Sequence, residues 1–170
     1  MLICLLVIGA YVAFRAFNRD DLSVRPDPID LRAAVELGQA SGVKPLYPDP
    51  VPEGWKPISF DVTASHFKDG PAWALGFHTQ DDRFAGVRQD IRSAETLLNE
   101  FVDEHPVEGD VITLDSTVAR TWTTWTDEGG DTAYVAEVGG GTVLVWGSAT
   151  PEELQTLVES LTDAKLTPAR

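Results

Sequence analysis

Cysteine is almost missing. The 170-residue chain has one, Cys4, so no intramolecular disulfide can brace the fold and no pair of thiols can serve a metal site or a redox couple. Clustered positive charge is missing too: 13 Lys and Arg stand against 27 Asp and Glu, for a net charge of −14. The bases are scattered singly among carboxylates, whereas a phosphate backbone needs them gathered, so no nucleic acid is expected as a partner. His66, His78 and His105 never fall at HxH or HxxxH spacing, and no metal or other cofactor is expected.

Catalytic motifs are lacking as well. Gly139, Gly140 and Gly141 join two candidate strands and have no following helix or lysine, so they read as a hairpin turn and not as a phosphate loop. A calcium loop starting at Asp127 would need Gly and Glu where the chain has Thr132 and Val138. Ser148 lacks the second glycine of a nucleophile elbow, and paired acids such as Asp81 and Asp82 or Asp103 and Glu104 read as solvated surface. No catalytic residue is assigned.

What the chain does have is an uncharged start. Residues 1–14 carry no charged side chain, and burying apolar groups is worth about 0.8 kcal/mol per methylene, so this run is expected to enter a bilayer. Ala16 and Phe17 extend it past Arg15, whose stem can snorkel to the headgroups. Residues 1–17 are therefore expected to form a membrane helix in contact with lipid, short of the usual span of about 20 residues. A start further upstream would supply the missing length and a basic flank. With no small-residue cleavage site, the segment reads as an uncleaved signal-anchor. Arg15 and Arg19 follow it, and the positive-inside rule applied to them alone would keep the domain in the cytoplasm.

Residues 18–43 read as a polar spacer with one helix, capped by Asp27, with Pro28 at its first position and Leu31, Ala34 and Val35 on one face. Five prolines within 44–57 exclude regular structure there and mark the domain entrance. Alternation then predicts strands around Ile58, Phe60 and Val62, around Trp73, Leu75 and Phe77, and over 84–91. Ser93 caps a helix with Leu97, Leu98, Phe101 and Val102 on one face, ended by His105 and Pro106. Strands follow over 111–115, 118–126, 132–138 and 142–146, and Thr150, Pro151 and Glu153 open the last helix with a capping box. The expected fold is α+β: an antiparallel sheet of about seven strands with two packed helices, in the order β-β-β-α-β-β-β-β-α, over a single domain at 44–163 with a tail at 164–170.

The prolyl run with Val51, Pro52, Glu53, Gly54 and Trp55, then Ala72, Trp73, Leu75 and Gly76, then Arg120, Thr121 and Trp122, and the ending Trp146, Gly147, Ser148, Ala149, Glu153, Leu154 and Leu161 together resemble an actinobacterial membrane-anchored family, domain of unknown function 4245. The resemblance implies a single-pass membrane protein with its domain outside the cytoplasm. It implies no activity.

Tryptophans are the remaining signal, because an indole joins a large apolar body to a polar edge and is common at interfaces. Trp122 and Trp125 are three apart on one candidate strand and so project to opposite faces. Together with Tyr47 and Trp55 they form the expected interaction surface. The first function expected is an extracytoplasmic binding or protein-interaction module for a membrane or envelope protein. One alternative is an envelope hydrolase that brings His78 against distant carboxylates; the other is a scaffold docking through a sheet edge or the prolyl segment.

Overall fold

The computed structural model of the chain describes residues 27–166. The expected membrane helix at residues 1–17 and the end of the tail lie outside the described residues. The first helix of the described residues is α1 (Leu31–Ala40), and the strands are β1 (Tyr47–Pro48), β2 (Lys56–Thr63), β3 (Ala72–His78), β4 (Phe84–Asp90), β5 (Val107–Thr113), β6 (Thr121–Thr126), β7 (Thr132–Val138), β8 (Gly141–Gly147) and β9 (Leu161–Thr162). Helix α2 (Ala94–Phe101) follows β4, and α3 (Pro151–Ser160) follows β8. The fold is α+β, with a seven-stranded antiparallel sheet in the order β2-β3-β4-β8-β7-β6-β5. It consists of two antiparallel runs, each ending at the central pair β4 and β8.

Alternation along the strands assigns the two faces. Trp73, Leu75 and Phe77 of β3, Val87 of β4, Trp122 of β6, Tyr134 of β7, and Val143 and Val145 of β8 join the main core with α1 and α3. Ala133, Val135 and Leu144 point the other way and meet Leu97 and Leu98 of α2 in a smaller core. The two halves of the sheet mirror each other in strand order, but their following helices lie on opposite faces, so the helices do not follow that symmetry.

Among the described residues three helices pack on the sheet, where two were expected. The extra one is α1, expected in a spacer but built into the core, with Ala34, Val35 and Gly38 buried. A methyl group at Gly38 would lie 2.9 Å from the Trp73 ring. Alanine and glycine against an indole make a close contact that leaves little trace in hydropathy, which is why this stretch reads as polar. Its cap is Asp30 and not Asp27: the Asp30 carboxylate accepts from the Ala33 N–H at 3.1 Å and pairs one of the free donors of the first turn.

Other boundaries also move. Helix α2 stops at Phe101, before His105 and Pro106, and Asp103 just beyond it accepts from the N–H groups of His105 and Glu128, both at 3.0 Å. Strand β5 starts at Val107 and not at 111, with a bulge between Glu108 and Val111 that absorbs the turn-like Gly109 and Asp110. The prolyl segment is extended, and its β1 pairs with β9 in a small second sheet that the sequence did not predict. The α3 capping box is present: Thr150 N–H donates to Glu153 at 2.8 Å, and Glu153 N–H donates to the Thr150 hydroxyl at 3.2 Å. Gly139 and Gly140 have φ of 61° and 84°, the positive values a tight hairpin between β7 and β8 requires.

Trp122 is fully buried, and its indole N–H donates to the Ala119 carbonyl at 2.8 Å. Replacing it with Ala is predicted to cost about 3–5 kcal/mol through lost contacts and a cavity. Leu37→Ala on α1, where the side chain is 48% exposed, is predicted to stay within about 0.5 kcal/mol of the parent. Urea unfolding of both variants checks the contrast.

Candidate functional site

The sheet face that carries α2 is only partly covered by it. On the rest of that face, β3 and β4 place Gly76 and Gly86 directly opposite each other, and Gly86 pairs onward with Trp146 of β8. These strand glycines make room for rings. A Cβ on Gly86 would lie 2.9 Å from the Trp146 indole, and one on Gly76 would lie 3.1 Å from the Phe84 ring. Phe84 meets Trp146 edge-on with centroids 5.9 Å apart, and Phe101, from the last turn of α2, lies 5.3 Å from the same indole. All three rings remain part-exposed.

They form an aromatic ridge between two hollows. One, of about 230 Å³, is lined by Ala74 and Gly76 and bounded by Ser59, Asp61 and Arg88. The other, of about 220 Å³, holds Asp127, Asp131 and Ser148. In the first, Arg88 sits with its guanidinium 4.8 Å from the Phe101 ring centroid, a cation–π distance. Its Nε donates to Asp90 at 2.9 Å. Nη1 is 3.8 Å from Asp61, close enough for Coulomb attraction and too long for a hydrogen bond.

Asp90 fixes that arrangement from below. It is 2% exposed and also accepts from Arg92 through Nε at 3.1 Å, Nη2 at 2.9 Å and the backbone N–H at 3.0 Å. Burial alone would raise its carboxyl, but the hydrogen bonds from Arg92 and then Arg88 outweigh burial and hold it below its ordinary value of 3.8. Arg92 in turn pairs with Glu100 on α2.

The four aromatics singled out from the sequence lie elsewhere. Trp122 and Tyr47 are buried in the main core, where the Tyr47 hydroxyl donates to the Ala164 carbonyl at 3.1 Å. Trp55 is part-exposed and packs on Phe77, with centroids 6.1 Å apart. Trp125 does project to the face opposite Trp122, but it packs with the α2 cluster, and its indole N–H is buried without a partner. His78 lines a hollow of about 290 Å³ that also holds Asp27, Lys56 and Asp82; among the described residues no hydrogen bond joins it to an acid. Nor is any group of three or more His, Cys, Asp and Glu gathered for a metal among them.

Phe84, Arg88, Phe101 and Trp146 were missed by the sequence reading. One signal was available: glycines inside the strand runs at 76 and 86 mark close approach of a neighbouring group. What the linear chain lacked was the register that sets Gly86 against Trp146, sixty residues downstream.

Sheet and helices thus define a small α+β domain with an aromatic, part-open face. The chain matches the family described as Protein of unknown function (DUF4245) over residues 1–161, and it belongs to that family. No curated protein and no solved structure matches it. Among the described residues no helix is long and apolar enough to cross a membrane.

The Asp90 network generates a pH prediction. The folded carboxyl is held below the ordinary value of 3.8 that it regains on unfolding, so its stabilisation is fully present above that value and is lost as pH falls through the folded one. Asp90→Asn is predicted to lose about 3–5 kcal/mol at neutral pH, because two arginines lose their shared buried anion. It should also lack this part of the acid limb. Thermal melts from neutral to strongly acidic pH check both; a variant as stable as the parent at neutral pH would contradict the prediction.

Proposed function

We propose that this protein is a membrane-tethered binding module, anchored by residues 1–17 with its α+β domain outside the cytoplasm, and that it captures a membrane or envelope protein through the ridge of Phe84, Phe101 and Trp146. The observation that carries this reading is the set of three part-exposed, mutually contacting rings on a sheet face that α2 leaves open. A soluble surface carries little aromatic mass in one patch without a use for it, and rigid aromatic anchors dominate binding energy at interfaces. The chain is strongly acidic, and the ridge differs from the single exposed apolar residues elsewhere in gathering three rings in mutual contact. His78 shares its hollow with Asp27 and Asp82, and among the described residues no hydrogen bond joins it to an acid.

The scaffold reading has one observation in its favour. Strand β5 is an outer strand of the sheet, and its Val107 and Val111 are 62% and 64% exposed.

Photo-crosslinking of the full chain in native membranes tests the leading reading. Trp146→Ala is predicted to reduce partner capture by at least about tenfold, as for an interface hot spot, with the variant still folded by circular dichroism. Capture equal to the parent would contradict it. For topology, a protease added to intact cells is predicted to reach the domain. Protection until lysis would place the domain inside and support the positive-inside reading of Arg15 and Arg19.

A further inference from the structure

Arg88 is held on two sides and open on a third. Its Nε donates to Asp90, its guanidinium carbon lies over the Phe101 ring, and neither Nη1 nor Nη2 donates a hydrogen bond among the described residues. A guanidinium fixed in this way offers its two Nη groups in the geometry that suits a carboxylate. The hollow it borders has an apolar lining and, at about 230 Å³, the size for one apolar side chain. Across the ridge lies the second hollow, with Asp127 and Asp131. An extended peptide rises roughly 3.3 Å per residue, so a residue two to four places away could reach across.

Resting on the reading of this face as a binding surface, we propose that it recognises the C-terminus of a partner polypeptide. The terminal carboxylate pairs with Arg88, an apolar last side chain fills the hollow lined by Ala74 and Gly76, and a basic residue about two to four places upstream pairs with Asp131. Charge favours this occupant over a polyanion. One local arginine meets one carboxylate, while the net charge of −14 repels a phosphate-rich ligand and attracts the basic residue. Asp61, largely exposed at 3.8 Å from Arg88, is a weak resident counter-ion that the incoming carboxylate displaces.

The test uses the full chain in lipid nanodiscs and the probe acetyl-Lys-Gly-Gly-Phe with a free C-terminus, beside its C-terminal amide and a Glu-for-Lys version. The free acid is expected to bind at least about tenfold tighter than the amide, the size of one charge-assisted pair. Arg88→Gln should erase that difference. Because Arg88→Gln disturbs the Asp90 network, Asp61→Asn provides a second reading at an exposed site and should tighten the free acid a few-fold without changing the amide. Asp131→Asn should weaken the Lys peptide and leave the Glu version unchanged. Equal affinity for acid and amide, or an Asp61→Asn variant that binds the acid more weakly, would overturn the proposal. If acid and amide bind equally and Trp146→Ala abolishes both, the binding face stands and the carboxylate assignment falls. If neither binds, this inference falls, and the crosslinking experiment decides the face separately.

Discussion

Seven strands spaced by about 4.8 Å make a sheet roughly 29 Å wide, and among the described residues the only helix on one face is α2, with eight residues. Such a helix is about 12 Å long and about 10 Å across, while the strands run roughly 23 Å, so its footprint takes up only about a fifth of that face. The opposite face has α1 and α3, and its strands are correspondingly apolar. On the partly covered face, the sequence places glycine and alanine at the open positions of β3, with aromatic rings and one arginine around them. Small residues there reduce the apolar area left in water, and the rings lie over the bared backbone of Gly76 and Gly86.

Asp90 ties that face together. It closes β4, binds arginines from β4 and from the link to α2, and through Arg92 and Glu100 reaches the helix itself. The Thr142 hydroxyl of β8 donates to the Arg92 carbonyl at 2.8 Å, adding the central strand pair to the same network. A buried ion cluster is weak evidence for stability, because desolvation offsets much of its Coulomb gain. Its effect here is positional. It fixes the start of α2 relative to β4 and so sets where Phe101 stands against Trp146 and Arg88.

Much of the fold was legible in the chain because its strongest signals are local. Alternation at Trp73, Leu75 and Phe77 assigned one face of β3, Ser93 and Thr150 marked helix starts, and the glycines at 139 and 140 marked the hairpin. The misses have physical causes. The packing of α1 depends on Gly38 fitting beneath Trp73, and the β1–β9 pair joins residues more than a hundred positions apart. The candidate site was the least legible part. Tryptophans were judged by their own strand parity, which correctly separated Trp122 from Trp125, but a part-open face is set by which helix fails to cover which strands. Trp146 differs from Trp122 in what lies above it, and neighbouring residues in sequence do not show that.

The central claim is that the ridge of Phe84, Phe101 and Trp146 is a surface that meets a partner. Hydroxyl-radical footprinting, carried out on the purified full chain and on the same chain in intact cells, tests it most directly. The three rings are expected to be modified in the purified chain and protected in cells, while Phe67, 59% exposed and lining neither hollow, is modified in both and Trp122 in neither. Equal modification of the ridge in the two settings would show that no partner covers it.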